Sequence, residues 1–590
     1  MTEVRQSPPW LDVYPPGVSW RFEPPEEPLF AALDRAAERF PDRPAVNFLG
    51  RSCSYAELAA MSEAVARGLQ ALGVEKGTRV ALLLPNTLYY VACYYGILRA
   101  GGIVVNCNPL YSEAELERQL EDSACRLLVT MDLALMLPKA LAIARRGGLE
   151  RIILCSMAAA LPTTTGLLFR LFKRGERARP PFDAPVVPFE RLIASGHRFE
   201  PVAVSADDIA VLQYTGGTTG TPKGAILTHA NLVANREQVI AWDPSRVPGE
   251  ERMLGVLPLF HVFAMTVVMN LAIGIAAEMV LLPRFHLTQV LRTIHRRRPT
   301  LFPVVPTLLA AMNQAPALRK FDLTSLRFCI SGGASLPAEV KERFEANTGC
   351  VVVEGYGLTE ASPVVTCNPP GGRIKAGSIG LPIPGTEVEI RDLEDPRRRL
   401  PPDARGELCL RGPQVMKGYW RQPEETARAF VDGTLRTGDV GYMDEEGYFY
   451  LVDRIKDLII VHGHNVYPRT VEEAIYEHEA VLEVTVIGIP DEKRGQVPKA
   501  FVRLREGAVL DAGALIDFLR PRLAPYELPR EIEFREELPK TMIGKLSKKE
   551  LLAEELRRRR PAGSAEGGNR RSTGTSRIRE SRGSDMPGNA

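Results

Sequence analysis

"YTGGTTGTPKG", Tyr214 to Gly224, sets glycines and threonines around a single lysine, between the apolar runs "IAVLQ" and "GAILT". Glycines let backbone N–H groups close on an anion, threonine hydroxyls add donors, and Lys223 adds a point charge. The stretch reads either as a phosphate-holding loop between two strands or as a plain Gly/Thr turn. A Walker A loop needs Gly-Lys-Ser/Thr after Gly and four residues, so that a hydroxyl reaches magnesium. Counting from Gly217, Pro222 stands where the second glycine belongs, and Gly224, with no hydroxyl, follows Lys223. That register excludes a P-loop NTPase, and the surrounding sequence has to decide the rest.

The 590 residues are too many for one core and suggest several compact units. Apolar content of 45% and charged content of 25% match an ordinary globular protein. A net charge of +2 gives no field of the kind nucleic-acid binding needs, so no nucleic-acid partner is expected. The nine cysteines contain no C-x-x-C, and several sit in apolar runs such as "RIILC", as reduced core thiols of a cytoplasmic protein do. No H-E-x-x-H occurs, and "MTEVRQSPPWLDVYPP" lacks the charged and apolar regions of a secretory signal. The run "FAMTVVMNLAIGIAAEMVLLP" approaches membrane-spanning length. Asn270 and Glu278 interrupt it, so a buried helix followed by a strand is expected.

From Pro44 to Cys155 apolar strands ("AVNFL", "RVALLLP", "IVVN") alternate with amphipathic helices, and a second such series runs from "MVLLP" to "VVVEGYG". This alternation indicates parallel α/β layers. Short strands with "DG" and "EEG" turns follow from about Thr386 to Tyr450, a smaller β unit, and a new α/β pattern starts after "VDRIKD". The Gly/Ser/Arg-rich stretch from Arg557 has too few large apolar residues for a core and is expected to be disordered. The expected division is 1–453, 454–556 and a basic tail, 557–590.

Further motifs stand at the ends of expected strands, where open parallel sheets place ligand sites. "EGYGLTE" carries Tyr356, Thr359 and Glu360; "RTGDVGY" carries Asp439; "LVDRIKD" carries Arg454; "LPKTMIGKLSKKEL" carries Lys545. A phosphate loop, an aromatic platform, two carboxylates and a lysine together describe use of ATP at its α-phosphate.

With "PLFHVFA", "SGGASLP", "GSIGLPIPGTE" and "GELCLRGPQVMKGYW" in the same order, the chain resembles the adenylate-forming superfamily, and most closely its bacterial long-chain fatty-acid–CoA ligases, from about Trp10 to Leu556. The resemblance implies an α/β fold: a large N-terminal AMP-binding domain with a β-rich subdomain, and a small mobile C-terminal α/β domain. It implies that a carboxylate attacks ATP to give acyl-AMP and pyrophosphate, and that the thiol of coenzyme A then displaces AMP. Thr215, Gly216, Gly217, Thr218, Thr219 and Lys223 would grip the departing phosphates. Gly333, Ala334 and Tyr356 would enclose adenine, with Thr359 near the α-phosphate and Glu360 on Mg²⁺. Asp439 would accept from the ribose hydroxyls beside Arg454. Lys545 would bridge the carboxylate and the α-phosphate, His261 would gate the acid, and Lys456 would be the hinge. "VHGHNVYP" departs from the usual pattern at His462 and His464, on the expected coenzyme A face.

An apolar acyl tunnel is expected around "PLFHVFAMTVVM", "FPVVPTLLAAM" and "ASPVVTCNP". Its depth is not readable, so medium-chain or aryl acids, or another acyl acceptor, stay open beside long-chain acids. "GLLFRLFKRGERARPP", Gly166 to Pro181, is either a charged loop or an interfacial element that brings the protein to the inner membrane face. "GGASLP" lacks the last glycine of G-x-S-x-G, which argues against a serine hydrolase.

Overall fold

The computed structural model describes residues 8–215, 222–316, 318–462, 464–491, 493–541 and 546–559. The expectations placed on Gly216, Gly217, Thr218, Thr219, Lys545 and the tail from 560 lie outside these residues.

The two runs that flank the opening loop are strands. Ile209–Thr215 and Lys223–Thr228 pair antiparallel, with Tyr214 opposite Gly224 and Thr215 opposite Lys223. They close one edge of a seven-stranded sheet, in which Ile209–Thr215 runs parallel to Ile103–Asn106, followed by Arg79–Leu83, Leu127–Met131, Arg151–Cys155 and Val186–Pro188. Serine capping boxes start two helices of this layer. Ser54 with Glu57 opens Tyr55–Ala71, and Ser112 with Glu115 opens Glu113–Asp122. Helix Leu88–Arg99 is apolar all round and buries every residue from Leu88 to Leu98, as a helix enclosed on all sides must.

A nine-stranded sheet forms the second layer, parallel through Val351–Gly357, Phe328–Ser331, Leu301–Val304, Arg252–Gly255, Glu278–Leu281 and Pro44–Phe48, with antiparallel strands at both edges. Strand Pro44–Phe48 therefore leaves the series in which its sequence neighbours lie and pairs with Glu278–Leu281, Val46 opposite Met279. A run of apolar residues identifies a strand but carries no label for its neighbour. The long apolar run is buried as expected: Val262–Ala264, a π-helical turn at Met265–Asn270, Leu271–Gly274, then strand Glu278–Leu281. Buried Glu278 is paired with Arg252 at 3.2 Å and Arg297 at 2.7 Å. Among the described residues no helix is long and apolar enough to cross a membrane, and all nine cysteines are buried free thiols.

A five-stranded antiparallel sheet follows, built from Glu387–Arg391, Gly406–Arg411, Phe430–Val431, Thr434–Met443 and Phe449–Arg454. At its "DG" turn Asp432 (φ 51°) and Gly433 (φ 73°) both take positive φ, the tight hairpin that this dipeptide favours. The last five-stranded sheet joins His464–Val466, Ile459–Val461, Gly495–Leu504, Val481–Asp491 and Glu531–Phe534. With helices Pro468–Tyr476 and Ala512–Leu519 it encloses its own apolar core around Ile459, Val471, Ile475, Leu515 and Leu519.

Candidate active site

A cavity of about 850 Å³ opens where the strands of both large sheets end, and the antiparallel sheet and the Ile455–Asp457 turn wall it in. Thr215 ends its strand here, Gly332 and Gly333 follow Phe328–Ser331, and Gly357 to Glu360 continue from Val351–Gly357. The "EGYG" stretch needs its second glycine. A Cβ on Gly357 would lie 2.3 Å from the Pro363 carbonyl oxygen, so only glycine lets the two segments cross behind the cavity wall.

One end of the cavity is polar. Asp439, 2% exposed, accepts a 2.6 Å hydrogen bond at Oδ2 from the Tyr356 hydroxyl, and Arg454 Nε lies 2.9 Å from its Oδ1. That ion pair lacks hydrogen-bond alignment, so Oδ1 accepts no aligned donor among the described residues. Burial, followed by the Asp439 charge, pushes the Tyr356 hydroxyl far above its ordinary pKa, so it stays a donor. The Asp439 turn is braced from below: Glu407 accepts from Gly438 N at 3.0 Å and from Arg436 Nε at 2.8 Å. Glu360 accepts at Oε1 from the Tyr419 hydroxyl at 2.8 Å. Lys223 pairs with Glu425 and stands 5.3 Å from the centre of the Tyr419 ring.

The other end is apolar, lined by Trp242, Val267, Val305, Phe328, Val364 and Cys367. Buried Arg246 stands among them, with Nη1 donating to the Val239 carbonyl at 2.7 Å and Nε 3.3 Å from Asp243. His261 also lines the cavity, and its Nδ1 accepts from Phe263 N at 3.3 Å. Its loop is held from both sides. Asn86 accepts from Leu259 N and donates to the Leu257 carbonyl, each at 2.8 Å, and Gln213 Nε2 donates to the Phe260 carbonyl at 2.9 Å. Asn106 Nδ2 in turn donates to Gln213 Oε1 at 2.8 Å, and both amides are buried. A satisfied network of this kind fixes a loop geometry that packing alone would leave adjustable.

One cavity thus gathers Thr215, Lys223, His261, Gly333, Tyr356, Thr359, Glu360, Asp439, Arg454 and Lys456. Ala334 is exposed and is not among the residues that line it, whereas Gly332, the residue before Gly333, is. Lys545 is not described, but Thr541, four residues before it, lines the cavity, and Lys540 bridges Leu546 across the intervening segment. Sequence reading missed Tyr419, Glu425, Arg246, Asn86 and Gln213. Tyr419 sits inside the quoted "GELCLRGPQVMKGYW", so a signal existed there. The Lys223–Glu425 pair spans 202 residues, and no local pattern announces it.

The profile of the AMP-binding enzyme family matches residues 33–420, and that of its C-terminal domain matches 470–545. The chain is 45% identical over 553 residues to a long-chain-fatty-acid–CoA ligase of Bacillus subtilis, covering 93% of this chain and 98% of the relative. It is 40% identical over 552 residues to a ligase of the same name from Salmonella typhimurium, covering 92% and 97%. The solved anthranilate CoA ligase AuaEII in complex with anthranoyl-AMP matches with a TM-score of 0.79 and 28% identity, over 91% of this chain and 98% of that one. On these grounds the chain belongs to the AMP-binding enzyme family.

Proposed function

We propose that this chain ligates a long-chain fatty acid to coenzyme A with ATP, through an acyl-AMP intermediate that leaves AMP and pyrophosphate as by-products. The observation that carries the reading is one cavity with a polar end built on Asp439, Tyr356 and Glu360 and an apolar end built on Trp242, Val267 and Val364. In this reading Asp439 accepts from the ribose hydroxyls with the lone pairs that Tyr356 leaves free. Tyr356 and the Gly332–Gly333 backbone flank adenine. Lys223 exchanges Glu425 for the departing phosphates, and the glycines and threonines of 216–219 add donors there. Lys545 stands between carboxylate and α-phosphate, where its charge offsets the charge that develops in the transition state.

Magnesium fits the residues present. Among the described residues no cluster of three His, Cys, Asp or Glu exists to cage a metal alone. A single cavity carboxylate beside substrate phosphates is the arrangement Mg²⁺ prefers. Glu360 supplies it, with Tyr419 orienting Oε1 and Oε2 accepting no hydrogen bond among the described residues. Bound there, the ion would neutralise phosphate charge; Thr359 stands next to Glu360 on the same Thr359–Ala361 turn.

The division at 453/454 belongs to the same proposal. Lys456 lies in the Ile455–Asp457 turn directly after the strand that carries Arg454, and contacts across the boundary include Arg469 N to Asp453 Oδ2 at 2.8 Å and Arg505 to Glu339 at 3.1 Å. A pivot at Lys456 withdraws Thr541 from the cavity after adenylation and admits the thiol. The strip containing His462 and His464, where His464 stacks on Tyr526 at 4.8 Å, belongs to the coenzyme A face. The enzyme works in the cytoplasm at a lipid surface, engaged through the 166–181 stretch.

Release of AMP and pyrophosphate with a panel of short, medium, long and aryl acids, each with and without coenzyme A, tests the reading. It expects long-chain acids to give the highest kcat/KM and coenzyme A to be required for turnover. A preference for short or aryl acids shifts the substrate; coenzyme A-independent turnover shifts the acceptor.

A further inference from the structure

Helix His229–Trp242 stops at the apolar end of the cavity, and the chain then turns through Asp243, Pro244, Ser245 and Arg246. Val239 and Trp242, one helical turn apart, line the cavity there, and so does Arg246. The turn is pinned. Ser245 N donates to Asp243 Oδ1 at 3.2 Å, Arg246 N to the Asp243 carbonyl at 3.4 Å, and Arg327 Nη1 to Ser245 Oγ at 2.9 Å. The Arg246 side chain is 4% exposed, so bulk water does not solvate its charge.

An arginine offers five N–H donors. Among the described residues the Arg246 side chain makes one hydrogen bond, from Nη1 to the Val239 carbonyl at 2.7 Å. Its Nε lies 3.3 Å from Asp243 Oδ2, but the two are not aligned, and neither atom has a hydrogen-bond partner among the described residues. Asp243 is also shared: Arg327 Nη1 lies 3.7 Å from the same Oδ2, while Arg327 Nη2 pairs with Glu251 at 2.6 Å. Arg246 and Arg327 are thus matched in charge by Asp243 and Glu251. What Arg246 lacks is acceptors. The cavity wall beside it supplies none, because Val305, Phe328 and Val364 are hydrocarbon, and burial pushes the Cys367 thiol up to about 12, which keeps it neutral and a weak acceptor. Buried polar groups are almost always hydrogen-bonded, so a guanidinium with unmatched donors in an apolar pocket calls for a partner that arrives with the ligand.

We infer that the acid bound in this cavity carries an uncharged oxygen, a hydroxyl or a carbonyl, on its hydrocarbon chain, and that Arg246 donates to it. The inference rests on the ligase reading and narrows its substrate to oxygenated fatty acids. A plain chain lays methylenes against the unmatched donors, and a site built to hydrogen-bond a substrate oxygen rejects the analogue that lacks it. A second carboxylate at that place satisfies the donors but adds an anion beside Asp243 and Glu251, where unbalanced charge is costly.

Acid-dependent pyrophosphate release, measured with plain, ω-hydroxy and α,ω-dicarboxylic acids matched across medium and long chain lengths, tests it. Varying the length moves the ω-oxygen along the cavity. At one length the ω-hydroxy acid should exceed the plain acid in kcat/KM by about tenfold or more, the worth of a hydrogen bond from a charged donor. R246M, which puts an apolar chain in place of the guanidinium, should abolish that ratio. So should D243N/R246M, which also removes the carboxylate that the single substitution leaves buried, and this variant carries the comparison if R246M lowers the thermal midpoint. A loss of fold alone does not change the ratio between two acids. Wild-type preference for the plain acid at every length, or a ratio equal in wild type and variants, overturns the inference. A preference for the dicarboxylic series that R246M abolishes overturns it too and makes Arg246 a carboxylate site. If no acid supports pyrophosphate release, the ligase reading fails, and titration calorimetry of the same acids decides the Arg246 site: tighter binding of an ω-hydroxy acid, lost in R246M, upholds it, and equal binding overturns it.

Discussion

Replacing Asp439 by asparagine removes one charge and little else. The amide keeps the shape of the carboxylate, and its oxygen still accepts the hydrogen bond that Tyr356 now gives to Oδ2 at 2.6 Å. The lost ion pair is to Arg454, whose side chain is 49% exposed, so its contribution to stability is small and the fold should hold. What changes is the grip on ribose. A hydrogen bond to a charged acceptor is worth about 1.5–3 kcal/mol and a neutral one about 0.5–1.5, so each hydroxyl loses roughly 1–1.5 kcal/mol. Two hydroxyls lose about 2–3 kcal/mol, or roughly 30–150-fold in kcat/KM for ATP. The assay is steady-state pyrophosphate release at varied ATP, repeated with 2′-deoxy-ATP and 3′-deoxy-ATP. Wild-type enzyme should penalise both deoxy substrates, and Asp439→Asn should penalise them much less, because the favourable contact is already weakened. A loss under about threefold for Asp439→Asn, or deoxy penalties equal in both enzymes, refutes the ribose assignment.

Three further outcomes follow from the same geometry. Burial raises the pKa of Glu354 to about 7 from 4.5, so the fold favours its protonated form; its contribution is complete below pH 4.5 and is lost as pH rises through about 7. Glu354→Gln should abolish that slope, gaining up to roughly 3 kcal/mol on wild type at alkaline pH, as read from denaturant unfolding across pH. Lys545→Ala should slow acyl-AMP formation by about 10²–10³-fold, the scale for removing one transition-state charge contact, while supplied acyl-AMP still reacts with coenzyme A; equal loss of both steps removes the assignment. Lys456→Pro fixes φ and deletes an N–H in the Ile455–Asp457 turn, so thioester formation should suffer more than adenylation in single-turnover assays; equal rates in both steps, relative to wild type, remove the pivot.

The parts of this protein that were legible in its sequence are those whose chemistry is local. Alternating strands and helices announced two α/β layers, and "EGYGLTE" and "RTGDVGY", like Thr215 and Lys223 at the ends of the Gly/Thr loop, each named side chains that line the cavity, because a strand end carries its neighbours with it. Asp439 and Arg454 were expected together, and they pair directly across adjacent strands. Legibility failed where a contact joins distant segments. Nothing near Lys223 points to Glu425, nothing near "PLFHVFA" points to Asn86, and Pro44–Phe48 gave no sign that its partner lies more than two hundred residues away. Ala334 shows a subtler limit: a motif fixes a turn to within a residue, but which backbone atoms face the cavity depends on how the turn is packed.

The central claim is that the α-phosphate of ATP meets the oxygen of an organic acid in the cavity between Asp439 and His261. Exchange of labelled pyrophosphate into ATP tests it most directly, measured without coenzyme A and with or without a long-chain acid. The expected result is exchange that requires the acid and persists when coenzyme A is absent. Exchange independent of acid, no exchange at all, or cleavage of ATP to ADP and phosphate would contradict it.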